Sequence, residues 1–448
     1  MTRIGGGSRT RPALRRCTRA VCERRKPRVH PSLALVALAV AACAAGCARY
    51  RVGALDPTVL ERRAQTAAAE GVRVTVAVPS DEEARQLFGL DLAEEGIQPV
   101  WVEIENATDA YYRFAPAAMD PGYFTPREAA RRCALRFGGS ANDRMQEDLV
   151  RRAIEEFVPP QDRRSGFVLT RHERGVKVIN VDLMGRGRFR HFSFMVVVPG
   201  FDADFARVDF HTLYDAAQIR DVDEAQLRAA LEQMPCCATT KAATGTQDPL
   251  NFALLGDRRD MLASLLRAGW KVTEVLDRKS AFRTFYSYFF DQEYLNAPVS
   301  AVYLFGRRQD LALQKARETA RERNHLRMWM TPVRFRGHAV WVGQISRDIG
   351  LSYSPSSFLG HVVDPDVDEA RNYLVQDLAG TQHMTRFGWV AGVGATSASA
   401  PRHMADGAPF FTDGLRAVME FGPEWTPFDK IRAFEWERPQ PPGEGTAP

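Results

Sequence analysis

Little in this 448-residue chain offers a ready-made reactive group. No G-x-S-x-G, H-E-x-x-H or G-x-G-x-x-G stands in surroundings that would let it work, which removes the common signatures of serine hydrolases, zinc peptidases and dinucleotide enzymes. The Gly- and Ser-rich stretch 392–399 follows no phosphate-loop spacing and lacks the lysine such a loop needs. Positive charge is scarce beyond the first 46 residues. That segment holds ten Lys or Arg against Glu23 alone, and the remainder has 50 basic and 54 acidic residues, a net of −4. The overall charge of +5 is therefore a property of the leader, and a nucleic-acid partner is not expected. Long apolar runs are lacking too. Leu33 to Gly46 would cover about 21 Å as a helix, short of the ~30 Å hydrocarbon core. With 45% hydrophobic, 26% charged and 10% aromatic residues, the composition is that of a globular body of two or three domains.

What the first 47 residues do contain is an export signal. A basic stretch ends in Arg24-Arg25-Lys26-Pro27-Arg28, the short apolar run follows, and small residues close it. Ala44-Ala45-Gly46-Cys47 resembles the bacterial lipoprotein box, in which the cysteine thiol takes a diacylglyceryl group. Val40-Ala41-Ala42-Cys43 fits the same pattern, so Cys43 is the alternative to Cys47. Acyl chains at ~0.8 kcal/mol per buried CH₂ hold such a protein to a leaflet without spanning it. Ala48-Arg49 after Cys47, with no Asp, points to the outer membrane facing the periplasm. The expected partners are the membrane, through the anchor, and an envelope protein. Of the seven cysteines, Cys133, Cys236 and Cys237 remain in the mature chain beside the lipidated one. Cys236-Cys237 could close on each other, or one could pair with Cys133. With no His at metal-ligand spacing, neither a metal nor a cofactor is expected.

Past a tether (47–70), Val72, Val74 and Val76 alternate with polar neighbours as a strand does. A helix is expected from Ser80, with acidic residues in its first turn. Strands are expected at 98–106, 111–114, 166–170, 176–183 and 189–198, and an Arg/Ala/Glu-rich helical insertion at about 126–158. Short strands with turn-forming gaps predict an immunoglobulin-like β-sandwich with one helical insertion over 71–210. A linker, 211–247, carries Cys236-Cys237. Beyond it, over 248–432, the pattern becomes mixed α/β (α+β). Strands are expected at 251–256, 298–306, 325–332, 338–346 and 360–363, and helices at 257–268, 309–323 and from Pro365 to Leu378. Asp364 would cap the last of these. Residues 433–448 read as a disordered tail. The aromatic-dense stretch 282–295 could touch lipid, a partner or the core, and core is the favoured reading.

Several ordered motifs in the second half carry a resemblance: "DPLN" (248–251), Gly256, "AGW" (268–270), "APVSAVYLFGRRQDLALQK" (297–315), "RERNHLRMW" (321–329), "VWVGQISRDIG" (340–350), His361 with "DPDVDEAR" (364–371), and "FFTDGLR" (410–416). Together they resemble the LssY-like C-terminal domain over about 235–425. The resemblance implies a bacterial envelope protein, since this domain occurs in lipoproteins and fused to membrane proteins of the DedA and lipid-phosphatase types. Its name implies a link to type I secretion. It carries no established activity, so it transfers no catalytic residue.

The most informative geometry is the hairpin joined by "RFRG". A turn centred on Phe335-Arg336 pairs residues whose numbers sum to 671, which sets Arg327 opposite Gln344 and His325 opposite Ser346. Alternation then gives one face to His325, Arg327, Trp329, Gln344, Ser346 and Asp348, and the other to Leu326, Met328 and Met330. On that face Arg327 or Arg307 could bind an anionic group, with His325 or His361 as ligand or acid-base. The competing reading is a buried Arg–Asp and His–Ser network that holds two strands together. Asp364, Asp366 and Asp368 imitate half of a calcium loop, but Glu369 stands where Gly is needed, so helix capping explains them better. The sequence thus favours a non-catalytic binding or structural module. The alternative is a hydrolase of an anionic envelope substrate using His325, Arg327, Asp348 and His361.

Overall fold

A computed structural model describes residues 50–52, 58–135, 138–274, 296, 299–316, 322–354 and 357–436, without the side chains of 58–59 and 351–361. The leader with Cys43 and Cys47, the aromatic-dense stretch 282–295, the side chain of His361 and nearly all of the expected tail lie outside the described residues. The architecture is mixed and rich in antiparallel strands.

The first half is two sheets packed face to face. One has the order β1 (Gln65–Ala69), β2 (Val72–Ala77), β3 (Ile97–Asn106) and β6 (Asp162–Arg171). The other has the order β5 (Phe157–Val158), β4 (Tyr112–Phe114), β7 (Val176–Gly185) and β8 (Arg188–Val197). Alternation does the sorting. Val72, Val74, Val76, Val102 and Ile104 meet Ile179, Val181, Leu183 and Phe192 between the sheets. The outer face of the first sheet is roofed by α1 (Asp81–Phe88), α2 (Pro126–Arg132) and α3 (Ser140–Arg152), whose Phe88, Ala129 and Met145 pack with Ile97 and Leu169. Ser80 caps α1 in a capping box with Glu83. The expected insertion is thus two helices, broken near the two glycines Gly138 and Gly139. Residues 65–69, assigned to the tether, form the edge strand β1, because Ala67 and its neighbours find β2 across a turn at Glu70-Gly71.

The second half centres on one large sheet. Its strands run β13 (Lys271–Val272), β16 (Leu311–Ala316), β17 (Arg323–Phe335), β18 (His338–Ser354), β12 (Phe252–Leu255), β23 (Leu415–Phe421), β20 (Met384–Ala391) and β24 (Arg432–Ala433). Helices α5 (Arg258–Arg267) and α6 (Val367–Ala379) bury Leu265, Leu374 and Leu378 on one face, against Leu313, Leu326, Met328 and Trp341. On the other face lie α4 (Glu224–Glu232) and a small sheet of β10 (Cys237–Thr239), β11 (Thr246–Pro249), β14 (Tyr303–Leu304) and β15 (Arg307–Arg308). The stretch expected as a linker is tied to this body. β9 (Arg220–Val222) pairs with β17, and Leu227 and Leu231 of α4 are fully buried. Arg416, itself fully buried, donates to the carbonyls of Leu231, Pro235 and Leu250. Its guanidinium, with no acid beside it among the described residues, is pushed down to about 10 by burial, and the negative end of α4 compensates it.

Three expectations need correction. Residues 311–316, expected inside a helix, are strand β16, because Leu-Ala-Leu-Gln is inserted between β13 and β17 where ladder hydrogen bonds outweigh helix propensity. The expected strand 298–306 is reduced to Tyr303–Leu304 within the described residues. The helix expected from Pro365 starts at Val367 and is capped by Asp366, while Asp364 accepts the N–H of Asp366 in the preceding turn.

Candidate functional site

Strand β17 places its residues by alternation. Leu326 and Met328 enter the core under α5 and α6, while His325, Arg327 and Trp329 face the small sheet. The register is the one the 671 sum requires: His325 opposite Ser346, and Arg327 opposite Gln344. The turn itself is one residue later than expected, at Arg336-Gly337, both with positive φ, and Phe335 pairs with His338. An irregularity between Met330 and Arg334 absorbs the difference and restores the register at the site.

The resulting face is polar and closed. His325 Nε2 lies 2.7 Å from Asp348 Oδ2, so an N–H there donates to a carboxylate that is only 2% exposed. Arg327 donates through Nε and Nη2 to the carbonyl and hydroxyl of Ser300, both at 3.3 Å. Burial lowers its guanidinium, and Asp248 and Asp348 oppose that shift. Asp248, from β11, has its carboxyl raised by burial, with Arg327 and His325 pulling the other way. Gln344 is fully buried, and neither its Oε1 nor its Nε2 has a hydrogen-bond partner among the described residues. The Trp329 indole N–H is also buried without an acceptor among the described residues. Asn251 holds this part of β18 straight, accepting from Ile345 N–H and donating to the carbonyls of Ile345 and Val367. Gly343 is required beside it. A Cβ there would come within 2.7 Å of the Arg327 carbonyl and 2.3 Å of the Phe252 ring.

Of the nominated residues, Arg327, Gln344 and Asp348 therefore share one buried face, and His325 joins it with 14% of its side chain exposed. Trp329 belongs to that face but sits in an apolar cluster with Ala238, Leu250, Val302, Leu304 and Val342. Arg307 is elsewhere. It grips Asp310 with two bonds of 2.9 Å and also donates to Tyr214 Oη and the Met330 carbonyl, which fastens β15 to the irregular part of β17. His361 lies on β19 (Ser357–Val363), its backbone paired with Leu351. No group of three metal-ligating side chains occurs among the described residues. Cys236 and Cys237 form a vicinal disulfide beside Arg402 Nη2, leaving Cys133 as a free thiol pushed up to about 11 by burial.

Residues 228–415 carry an LssY C-terminus domain. The match runs from α4 to the first residue of β23 and so contains the whole polar face, yet it covers under half of the chain. No curated protein matches the chain. Within this LssY C-terminus domain two features escaped the motif reading. Asp248 was visible only as part of "DPLN", since nothing local reveals that β11 will lie over β17. The other is Arg371, 2% exposed, which pairs with Asp413 at 2.7 and 2.8 Å, donates to the Leu415 carbonyl and stacks on Trp389. Asp368 completes it, accepting from Thr412 Oγ1 and from the Asp413 N–H. The Thr412-Asp413 pair between the apolar Phe410-Phe411 and Gly414-Leu415 was its sequence signal.

Proposed function

We propose that this chain is a cell-envelope lipoprotein, anchored through an acylated Cys47 (or Cys43), whose LssY C-terminus domain is a non-catalytic binding module carried on an immunoglobulin-like sandwich. One observation supports the binding role most. Among the described residues Gln344, fully buried between two strands, leaves both ends of its amide unpaired, beside Arg327 with two long bonds and Asp248 raised by burial. A buried polar atom without a partner costs about 1–3 kcal/mol, so a purely structural face would have replaced this amide by a hydrocarbon. Donors and acceptors held ready in this way suit a small polar ligand. Gln344→Met removes the amide at nearly constant volume. It is expected to raise the unfolding free energy by about 1–3 kcal/mol in urea titration. A loss of stability of similar size would mean that the amide is satisfied, and the binding reading would fall.

The hydrolase alternative draws on the His325–Asp348 bond, which has the form of a base and its orienting acid. Binding is favoured over it because the pair stands beside the Gln344 amide and the Arg327 guanidinium, groups that recognise a polar ligand without supplying a nucleophile. The anchor has its own test. A palmitate analogue supplied to cells should label the wild type and leave a Cys43→Ser, Cys47→Ser double variant unlabelled; equal labelling of both excludes acylation at either cysteine.

A further inference from the structure

A second binding place lies far from the polar face, where the sandwich meets α5. Arg267, in the last turn of α5, crosses to the sandwich and donates through Nη2 to Asn180 Oδ1 (3.2 Å) and Ser193 Oγ (3.0 Å). Among the described residues its Nε and Nη1 meet no acceptor, and no carboxylate lies within salt-bridge distance of it. Burial lowers this guanidinium, with Asp260 and Asp182 its nearest opposing charges.

Two cavities share Arg267 as a wall. The smaller, about 290 Å³, is also lined by Arg171, Lys177 and Lys271, with Asp120 and Glu173 as its acids. Those acids are already engaged. Asp120 accepts from Arg171 at 3.0 Å, and Glu173 pairs with both Lys177 and Lys271. The larger cavity, about 630 Å³, is lined by His191, Arg259, His383 and Asp260. There His191 is hydrogen-bonded to Asp182, and His383 is held low by burial and by its neighbours Arg267 and His191. The junction is therefore concave, of a size typical of small-molecule sites at ~300–1,000 Å³, and short of negative charge around a guanidinium with two idle donors.

We infer that the junction binds the phosphate of a small phosphorylated ligand, with Arg267 as its anchor and His383 lining the chamber that receives the rest. The planar fork of Arg267 matches two phosphate oxygens, which a lysine could not do. Binding would draw on both halves of the chain at once, since Ser193 and His191 come from β8 and Arg267 from α5.

Soluble glycerol phosphate, a monoester, and phosphatidylglycerol vesicles, whose phosphate is a diester, present a glycerol-linked phosphate from two sources. Calorimetric titration with the first, and co-sedimentation with the second, are run on the full-length mature protein at constant ionic strength. Wild type is expected to bind at least one of them. Binding of the soluble probe assigns a free metabolite, and binding of vesicles alone assigns a lipid head. In either case Arg267→Gln should weaken it by about tenfold or more, the loss of a charge-assisted fork. Arg267→Gln also removes the bridge to the sandwich, so His383→Gln, which leaves that bridge intact, is measured beside it and should weaken binding about two- to fivefold. Affinity unchanged in both variants, or no binding of either probe by wild type at ~10 mM phosphate, overturns the assignment.

Discussion

Arg371→Ala is expected to lower the unfolding free energy by about 3–5 kcal/mol, the range for breaking a buried ion pair by removing one partner. The side chain is among the largest that are fully buried, so its loss opens a void as well as a broken fork. Six groups lose their donor, ion partner or packing: both oxygens of Asp413, the Leu415 carbonyl, Asn372 Oδ1, Asp368 Oδ1 and the face of Trp389. Asp413 keeps 32% of its side-chain surface in solvent and can partly rehydrate, which sets the cost at the lower part of that range unless the loop 412–414 also moves. That loop leads directly into β23, the strand beside β12 and Asn251. Arg371→Lys retains the charge without the planar fork and should recover less than half of the loss. Urea unfolding followed by circular dichroism measures both, and a shift under about 1 kcal/mol for Arg371→Ala would mean the network contributes nothing of consequence.

The contrast between Arg371 and His325 shows which physical information a sequence holds. Strand alternation and a turn signal are local, so the pairing of Arg327 with Gln344 and of His325 with Ser346 could be read from "RFRG" and its flanks. That reading survived a misplaced turn only because the irregularity between Met330 and Arg334 compensated, and nothing in the residues announced it. The helical insertion and the buried valines of β2 were legible for the same local reason, with Ser80 and Glu83 spelling out the cap. Strand β16 was not legible. Leu, Ala, Gln and Lys are good helix formers, and only the hydrogen-bonding rows of β13 and β17 on either side turn Leu311–Ala316 into a strand. Asp248 and Arg371 were missed because their partners lie 79 and 42 residues away, at distances in sequence where no spacing rule applies. Arg307 was misjudged through chemistry rather than position. An arginine three residues from an aspartate reads as a free cation in sequence, but here the two form a fork that leaves nothing for a ligand.

Asp204 should make the stability of the whole fold depend on pH in an unusual direction. It sits in a short 3-10 turn, Asp204–Arg207, between the sandwich and the edge of the large sheet, where its N–H meets the Thr273 carbonyl and its Oδ2 accepts from Thr273 Oγ1 at 2.8 Å. The residue is only partly buried as a whole, yet Oδ1 is out of reach of solvent and has no partner among the described residues. Burial pushes its carboxyl up from 3.8 to about 7, against the weaker pulls of Thr273, the Phe205 N–H and Arg308. An acid whose folded value is raised binds its proton more tightly in the native state than in the unfolded one. The native state then takes up a proton relative to the unfolded state between about pH 4 and pH 7. Asp204 therefore contributes its full stability below pH 3.8, loses it progressively as pH rises through that window, and adds nothing more above about 7. At roughly 1.4 kcal/mol per pKa unit the swing is a few kcal/mol. Asp204→Asn keeps the shape, can accept from Thr273 and cannot ionise. It is expected to be the more stable protein at pH 8 by a few kcal/mol and to match the wild type near pH 4. Chemical denaturation at closely spaced pH values measures the difference, and a wild type that gains stability relative to Asp204→Asn between pH 4 and 7 would show that the carboxylate is held charged in the fold.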